Sequence, residues 1–183
     1  MAEKVLFISA LLFSIGMQAA TSTSQEVLKQ LVKNAHGGVE VHTVNGETGY
    51  SGYVGTGYVH YFYKEKAYVK PEVDFKWGEY RYQNEYAIQT TSIVIPVTLG
   101  YQLFQQESVG MSIFGGVRYE QILYSVSNNP DYGINNSQAG ITAGTSLRLM
   151  DKFSINASYY YGLTTLFKDG SGRISSFSFS INF

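Results

Sequence analysis

The sequence predicts an all-β fold, an eight-stranded antiparallel transmembrane up-and-down β-barrel. Three observations lead to this prediction. Charged residues make up only 15% of the 183 residues, and aromatic residues make up another 15%, whereas soluble domains carry about 25% charged residues. Apolar and small polar residues alternate with a period of two over stretches of about ten residues. Beyond the N-terminus no long apolar run occurs, so a membrane crossing there would use strands rather than helices.

The composition excludes several classes of function. The formal net charge is −1, so the chain has no field of one sign that would recruit nucleic acid. Cysteine is absent, which excludes a disulfide framework, a thiolate zinc site and a Cys nucleophile. Three histidines leave little material for a His-rich metal site. We therefore expect no metal site and no cofactor.

Residues 1–20 have the layout of a secretory signal peptide. Lys4 gives a weak positive start, Val5–Ile15 is an apolar core, and the small residues Ala19 and Ala20 precede a polar stretch. The alternative is a retained membrane anchor, but this apolar segment is shorter than the ~20 residues that a spanning helix needs. The pattern predicts export through the periplasm.

Residues 21–37 are predicted to form an N-terminal leader or a short helix. Ser24 could cap a helix, and Gly37 would help to end it. Its apolar stripe would contain Val27, Leu28, Leu31 and Val32. The alternative is a frayed leader in front of the first strand.

Residues 38–183 are predicted to form the barrel. Turn signals divide this region into eight strands, several of them longer than the five or six residues common in soluble sheets. Strands of about ten residues or more are typical of barrels that cross a bilayer. The predicted strands are 38–44, 50–63, 66–81, 86–104, 108–125, 137–150, 153–163 and 173–183.

The two strand faces differ in a way that indicates the environment. In 139–149 and 153–163 the odd positions are mostly apolar, and the even ones are mostly Gly, Ser, Thr or Asn. A soluble barrel would bury the apolar face, whereas a membrane barrel turns it towards lipid and fills its interior with small polar residues. Tyrosines near strand ends suggest aromatic girdles at the two membrane interfaces: Tyr80, Tyr82, Tyr86, Tyr119, Tyr124, Tyr159 and Tyr161.

Seven charged residues of the third, fifth and sixth predicted strands share the even, inward face. They are Lys70, Glu72, Asp74, Lys76, Arg118, Glu120 and Arg148. Because buried charges require compensation, we interpret them as an interior charge network. The alternative is acid–base catalysis. No Ser, His and acid cluster is visible in the sequence, where His36, His42 and His60 all lie in the first third.

Residues 49–167 resemble the PorT-like outer membrane β-barrel family of Bacteroidota. The resemblance is carried by Gly52–Gly55, Val69–Val73, Ile93–Tyr101, Gly115–Gly116, Ala139–Gly144 and Tyr159–Leu163. The C-terminal residues, with Phe179, Ile181 and Phe183, are similar to the signal that the barrel assembly machinery reads. The resemblance implies an eight-stranded outer-membrane barrel and implies no activity.

The expected function is that of an integral outer-membrane barrel of structural or binding type, without catalysis and closed to bulk ion flow. The expected partners are outer-membrane lipid, the barrel assembly machinery and subunits of a larger envelope complex, but no nucleic acid. One alternative is a lipid-modifying enzyme on the same scaffold. Another is a secreted soluble barrel that binds an apolar ligand inside.

Overall fold

The computed structural model describes residues 24–64, 66–82, 86–106, 108–127, 133–149 and 153–182. The predicted signal peptide and Phe183 lie outside the described residues. Within the described part, helix α1 (Ser24–Lys33) precedes nine strands. No described helix is both long enough and apolar enough to cross a membrane. The strands are β1 (His36–Val44), β2 (Glu47–Gly57), β3 (His60–Phe62), β4 (Ala67–Tyr82), β5 (Tyr86–Gln105), β6 (Val109–Ser127), β7 (Ser137–Leu149), β8 (Phe153–Thr165) and β9 (Arg173–Asn182).

The strands close into a barrel through the pairing of β1 with β9. Each strand pairs antiparallel with its neighbours, and the β1–β9 register runs from His36 opposite Asn182 to Val44 opposite Ile174. Both β2 and the short β3 pair with β4, so they act as one interrupted barrel strand. The nine strands therefore make eight positions around the barrel, which confirms the predicted eight-stranded antiparallel fold. The predicted second strand, 50–63, is interrupted at residues 58–59.

The first hairpin is longer than the sequence predicts. β1 begins at His36 rather than at residue 38, and β2 begins at Glu47 rather than at residue 50. Asn45 and Gly46 connect them with φ angles of 52° and 88°. Positive φ at both positions is the requirement of a type I′ turn, whose twist matches that of the flanking strands. The two strands therefore pair right up to the turn.

The outward face of the barrel is apolar, and most of the inward face is small and polar. Val54, Leu99 and Phe177 expose 51%, 60% and 48% of their surface. Ser92 and Ser112, in contrast, are buried in the interior. This order of faces is the reverse of that in a soluble barrel, so the alternative of a secreted soluble barrel with an apolar ligand inside is wrong.

The two ends of the barrel are built differently. The start of β1 and the end of β9 meet at one end, which we call the termini end. The strands β6 and β8 end at the opposite end, where residues 133–136 and 166–172 lie, and we call this the loop end. Inside the loop end, nine buried residues form an apolar cluster: Val44, Tyr80, Ile88, Ile122, Ile134, Tyr160, Leu166, Phe167 and Ile174.

Tyr80 was predicted to belong to an aromatic girdle, and this is wrong. It is completely buried in the apolar cluster, because even positions of β4 point inwards. Tyr124, Tyr159 and Tyr161 are exposed on the outside, where a girdle would need them. The side chains of Tyr82 and Tyr86 lie outside the described residues.

We predict that Val97→Asp impairs folding into lipid vesicles more than Thr98→Asp does. Thr98 is buried inside the barrel, and Lys70 is its cross-strand neighbour, so a carboxylate at residue 98 would be compensated. Val97 belongs to the outward face, where a buried charge near the midplane costs about 2–4 kcal/mol for Arg or Lys and less for Asp. The folded fraction can be measured from the heat-dependent shift in electrophoretic mobility. Equal losses in the two variants would contradict the assignment of the faces.

Candidate functional site

Four charged side chains from three strands meet inside the barrel. Lys76 Nζ lies 3.0 Å from Glu40 Oε1 and 3.1 Å from Glu120 Oε2. Arg118 Nη1 lies 2.7 Å from Glu40 Oε2, and Arg118 Nη2 lies 3.1 Å from Glu120 Oε2. Each cation thus contacts both carboxylates, and the formal charges sum to zero. We call this closed set the ion-pair ring: Glu40, Lys76, Arg118 and Glu120.

The ion-pair ring is held by further polar and aromatic contacts. Ser92 Oγ donates a hydrogen bond of 2.8 Å to Glu120 Oε1. Lys76 Nζ donates to the Tyr80 hydroxyl at 3.1 Å, and the Arg118 guanidinium lies 4.5 Å from the centre of the Tyr160 ring. Tyr80 and Tyr160 belong to the apolar cluster. The ring and the apolar cluster therefore pack directly against each other and form two successive layers across the interior.

A second charged group lies at the termini end. His36 Nε2 is 2.8 Å from Asp74 Oδ1, and His36 Nδ1 is 3.6 Å from Glu72 Oε1. Lys70 Nζ pairs with Glu72 Oε1 at 2.7 Å. His36 Nδ1 also lies 3.0 Å from the carbonyl oxygen of Asn34. This group therefore ties the segment after α1 to the inner wall of β4.

A cavity of about 680 Å³ separates the termini end from the ion-pair ring. Glu40, Lys76 and Arg118 line its inner end, and Lys33 and Asn182 lie near its mouth. Hydroxyl groups line much of its wall, among them those of Thr98, Ser112, Thr142, Ser158 and Ser178. The cavity opens at the termini end and is closed by the ring, and its wall combines these hydroxyl groups with apolar side chains such as Val94 and Phe114.

The seven predicted interior charges do not form one network. Lys76, Arg118 and Glu120 belong to the ion-pair ring. Lys70, Glu72 and Asp74 belong to the group around His36. Arg148 lines the cavity but makes no ion pair within the part of the chain that the structure describes. The structure thus divides six of the predicted interior charges between two groups, because the residues are spread along the barrel axis.

Sequence reasoning missed two residues of these groups, Glu40 and His36. Glu40 could have been predicted to point inwards, because it alternates with Val39 and Val41 and so lies on the opposite face of the strand. His36 lay outside the predicted first strand, so no face was assigned to it. Of the predicted assembly signal, Phe179 and Ile181 are exposed on the outward face, and their recognition by the assembly machinery stays a prediction.

One Ser–His pair exists that the sequence did not reveal. Ser51 Oγ lies 3.1 Å from His42 Nδ1, and His42 Nε2 lies 2.9 Å from the carbonyl oxygen of Glu79. The His42 ring fits against Gly49, where a Cβ atom would collide with it. His42 is 1% exposed and Ser51 is 6% exposed, and neither lines the cavity. The pair is therefore shielded from any substrate in the cavity.

Metal-binding geometry is absent from the described residues. They contain no group of three or more His, Asp or Glu side chains that could hold a metal ion. The groups around His36 and in the ion-pair ring instead pair acids with bases. Their chemistry is that of charge compensation.

Residues 10–168 match the protein family described as the outer membrane protein beta-barrel domain. The chain belongs to this family. It is a transmembrane protein of the bacterial outer membrane, and the apolar outward face is the surface that meets lipid.

Solved structures of outer-membrane barrels share the fold. The outer membrane enzyme PagL superposes with a TM-score of 0.57 at 14% sequence identity, covering 80% of this chain and 97% of its own. Neisserial surface protein A superposes with a TM-score of 0.50 at 13% identity, covering 81% and 92%. At such identities the likeness concerns the fold alone. No curated protein matches the chain.

We predict that Arg118→Gln destabilises the barrel by about 3–5 kcal/mol, the cost of removing one partner from a buried ion pair. The change leaves Glu40 and Glu120 with Lys76 as their only cation in the ring. The free energy of unfolding can be measured by urea titration of the barrel refolded in lipid vesicles, followed by the fluorescence of Trp77, the single tryptophan.

Arg148→Gln is the matched control for this experiment. Arg148 also lies in the interior but has no ion pair among the described residues, so its replacement should change the free energy of unfolding by about 0.5 kcal/mol or less. Equal losses for Arg118→Gln and Arg148→Gln would contradict a stabilising role of the ion-pair ring.

Proposed function

We propose that this outer-membrane barrel is a structural or binding protein of the cell envelope that performs no catalysis and conducts no bulk ion flow. The observation that supports the proposal most directly is that two layers of side chains cross the interior of the barrel. The ion-pair ring spans the lumen with paired charges, and the apolar cluster fills the loop end. Eight strands enclose a space that side chains can fill, so no continuous water column is expected.

The proposed orientation places the termini end in the periplasm. Outer-membrane barrels have short periplasmic turns and longer extracellular loops, and the two longest connections in the sequence, between β6 and β7 and between β8 and β9, follow strands that end at the loop end. In this orientation the cavity opens towards the periplasm. Its hydroxyl groups and ion pairs support a role in binding a polar periplasmic molecule or segment.

The described parts of the outer loops form a closed surface over the loop end rather than projecting away from it. Asn135 Nδ2 donates to the carbonyl oxygens of Thr165 and Phe167, each at 3.0 Å. Ser171 Oγ donates to Asp169 Oδ1 at 2.7 Å, and this bond holds the pKa of the Asp169 carboxyl below its ordinary value. The described parts of the two loops are therefore folded on each other across the loop end.

The partners in this proposal are outer-membrane lipid, the barrel assembly machinery and subunits of a larger envelope complex. The assembly machinery would read the C-terminal residues Phe179, Ile181 and Phe183. The net charge of −1 supports the expectation that nucleic acid is not a partner. Membership of the PorT-like group of Bacteroidota is part of the same proposal and is supported by the sequence pieces around Pro71 and Pro96.

We predict that the purified, refolded monomer gives no stable conductance steps in planar bilayers. Arg118→Ser should give at most small, flickering currents, because the apolar cluster and the other three charges of the ring remain in place. Large ohmic steps that scale with the amount of wild-type protein would contradict the proposal of a closed barrel.

A lipid-modifying enzyme is the second candidate. Two observations favour it: the shared fold with the outer membrane enzyme PagL, and the hydrogen bond between Ser51 and His42. A hydroxyl activated by a histidine is a common nucleophile. The burial of both residues opposes this function, because an acyl chain in the membrane or a solute in the cavity would not reach Ser51 Oγ.

We predict that Ser51→Ala leaves the lipids of the outer membrane unchanged. Lipids would be extracted from cells without the protein, with the wild type and with Ser51→Ala, and compared by mass spectrometry. His60→Ala is the control, since His60 is exposed and lies apart from the Ser51–His42 pair. A lipid species that requires wild-type protein and disappears in Ser51→Ala would establish the enzyme instead.

A further inference from the structure

Helix α1 carries an apolar stripe that the described protein leaves uncovered. Leu28 and Val32 lie one turn apart and expose 61% and 74% of their surface. Side chains at positions i and i+4 share one face of a helix. Lys29 and Lys33 are also exposed and, by the helical repeat, lie on the flank next to this stripe. The helix is therefore amphipathic, with its apolar side open.

The attachment of α1 places this stripe beside the lipid-facing wall. The Thr56 hydroxyl donates a hydrogen bond to the Leu31 carbonyl oxygen. Thr56 shares the outward face of β2 with Val54, two residues away and half exposed. On the neighbouring strand β4, Val73 and Phe75 are also exposed outwards. The helix thus adjoins the apolar band of the barrel at the termini end.

We propose that α1 is an interfacial helix that lies on the membrane leaflet at the termini end. Leu28 and Val32 enter the boundary between headgroups and acyl chains, and the ammonium groups of Lys29 and Lys33 contact lipid phosphates. Two features support phospholipid as the occupant. The last turn of α1 is bonded through the Leu31 carbonyl to Thr56, beside the surface that meets lipid, and the flanking lysines match anionic headgroups. Interfacial helices bury their apolar face ~5–10 Å deep and carry such cations beside it.

A soluble protein is a poorer occupant for this stripe. Stable protein interfaces bury more than about 1,000 Å². A ten-residue helix is about 15 Å long, and Leu28 and Val32 offer only a small part of that area. A lipid leaflet requires no minimum area of this kind, because the barrel itself is already anchored in the bilayer.

The interfacial helix would also fix the positions of the residues at the mouth of the cavity. Lys33 and Asn34 line the cavity, and His36 links the same segment to Asp74. A helix held at the membrane surface therefore keeps these residues at the rim. This inference rests on the membrane location of the barrel and holds whether or not the protein is a catalyst.

The test places a tryptophan on each side of the helix in the full-length protein. Trp77→Phe removes the native tryptophan, and Val32→Trp then reports on the stripe, with Leu28→Trp as a second probe. Lys29→Trp is the matched control on the flank. The proteins are refolded into phosphatidylcholine–phosphatidylglycerol vesicles, and a heat-dependent electrophoretic shift selects closed barrels. Lipids brominated near the headgroup measure depth, and aqueous iodide measures contact with water.

We expect the emission of Val32→Trp and Leu28→Trp to be shifted to the blue and to lose intensity with the brominated lipids. The emission of Lys29→Trp should respond less to bromine and more to iodide. Equal quenching of all three by iodide, without quenching by bromine, would overturn the proposal, because the stripe would then face water rather than lipid.

A second measurement tests the lysines. In the Val32→Trp protein, Lys29→Gln combined with Lys33→Gln should reduce the blue shift in vesicles that contain phosphatidylglycerol and have little effect in pure phosphatidylcholine. Lys168→Gln, in the exposed loop at the opposite end, is the control and should change neither. A blue shift of the same size with and without the two lysines, and with and without anionic lipid, would overturn the proposed contact with phosphates.

Discussion

The compensation of buried charge is the constraint on which the interior depends. Glu40, Lys76, Arg118 and Glu120 are at most 8% exposed, and the desolvation of one such ion costs several kcal/mol when it lacks a partner. Their strands are β1, β4 and β6, which are not neighbours in the barrel. The ring can therefore form only when the barrel has closed in the correct register. A slip of one residue would turn a charged side chain to lipid.

The ion-pair ring marks a boundary between two kinds of interior. On its loop-end side, Tyr80 and Tyr160 connect it to an apolar cluster. On its other side lies the cavity, which Glu40, Lys76 and Arg118 line. The four charged side chains are at most 8% exposed even on that side. Their partners in the ring, rather than solvent, therefore compensate their charges.

Much of the barrel could be predicted from the sequence because each strand has two faces with a period of two. This local pattern places Thr98 and Arg118 inside and Leu99 and Val117 outside, without knowledge of any partner strand. It cannot supply the pairing between strands, so it could not divide six of the seven charges into two groups along the barrel axis or leave Arg148 outside both. Glu40 was missed although its neighbours gave the signal, and Tyr80 was misplaced because tyrosine suits a lipid interface as well as a buried hydrogen bond.

The burial of residues at the loop end could not be predicted from the local alternation of the sequence. Ile134, Leu166 and Phe167 belong to connections, where no alternation exists to indicate burial. They are buried because Ile134 bridges to Phe167 and because Asn135 binds carbonyl groups of the other loop. The pairing of β7 with β8 brings these two loops together, and the loops in turn cover Val44 of β1 and Ile174 of β9. The loop end of the seam between β1 and β9 is therefore stabilised by Ile134, Leu166 and Phe167, which lie in connections and not in the two paired strands.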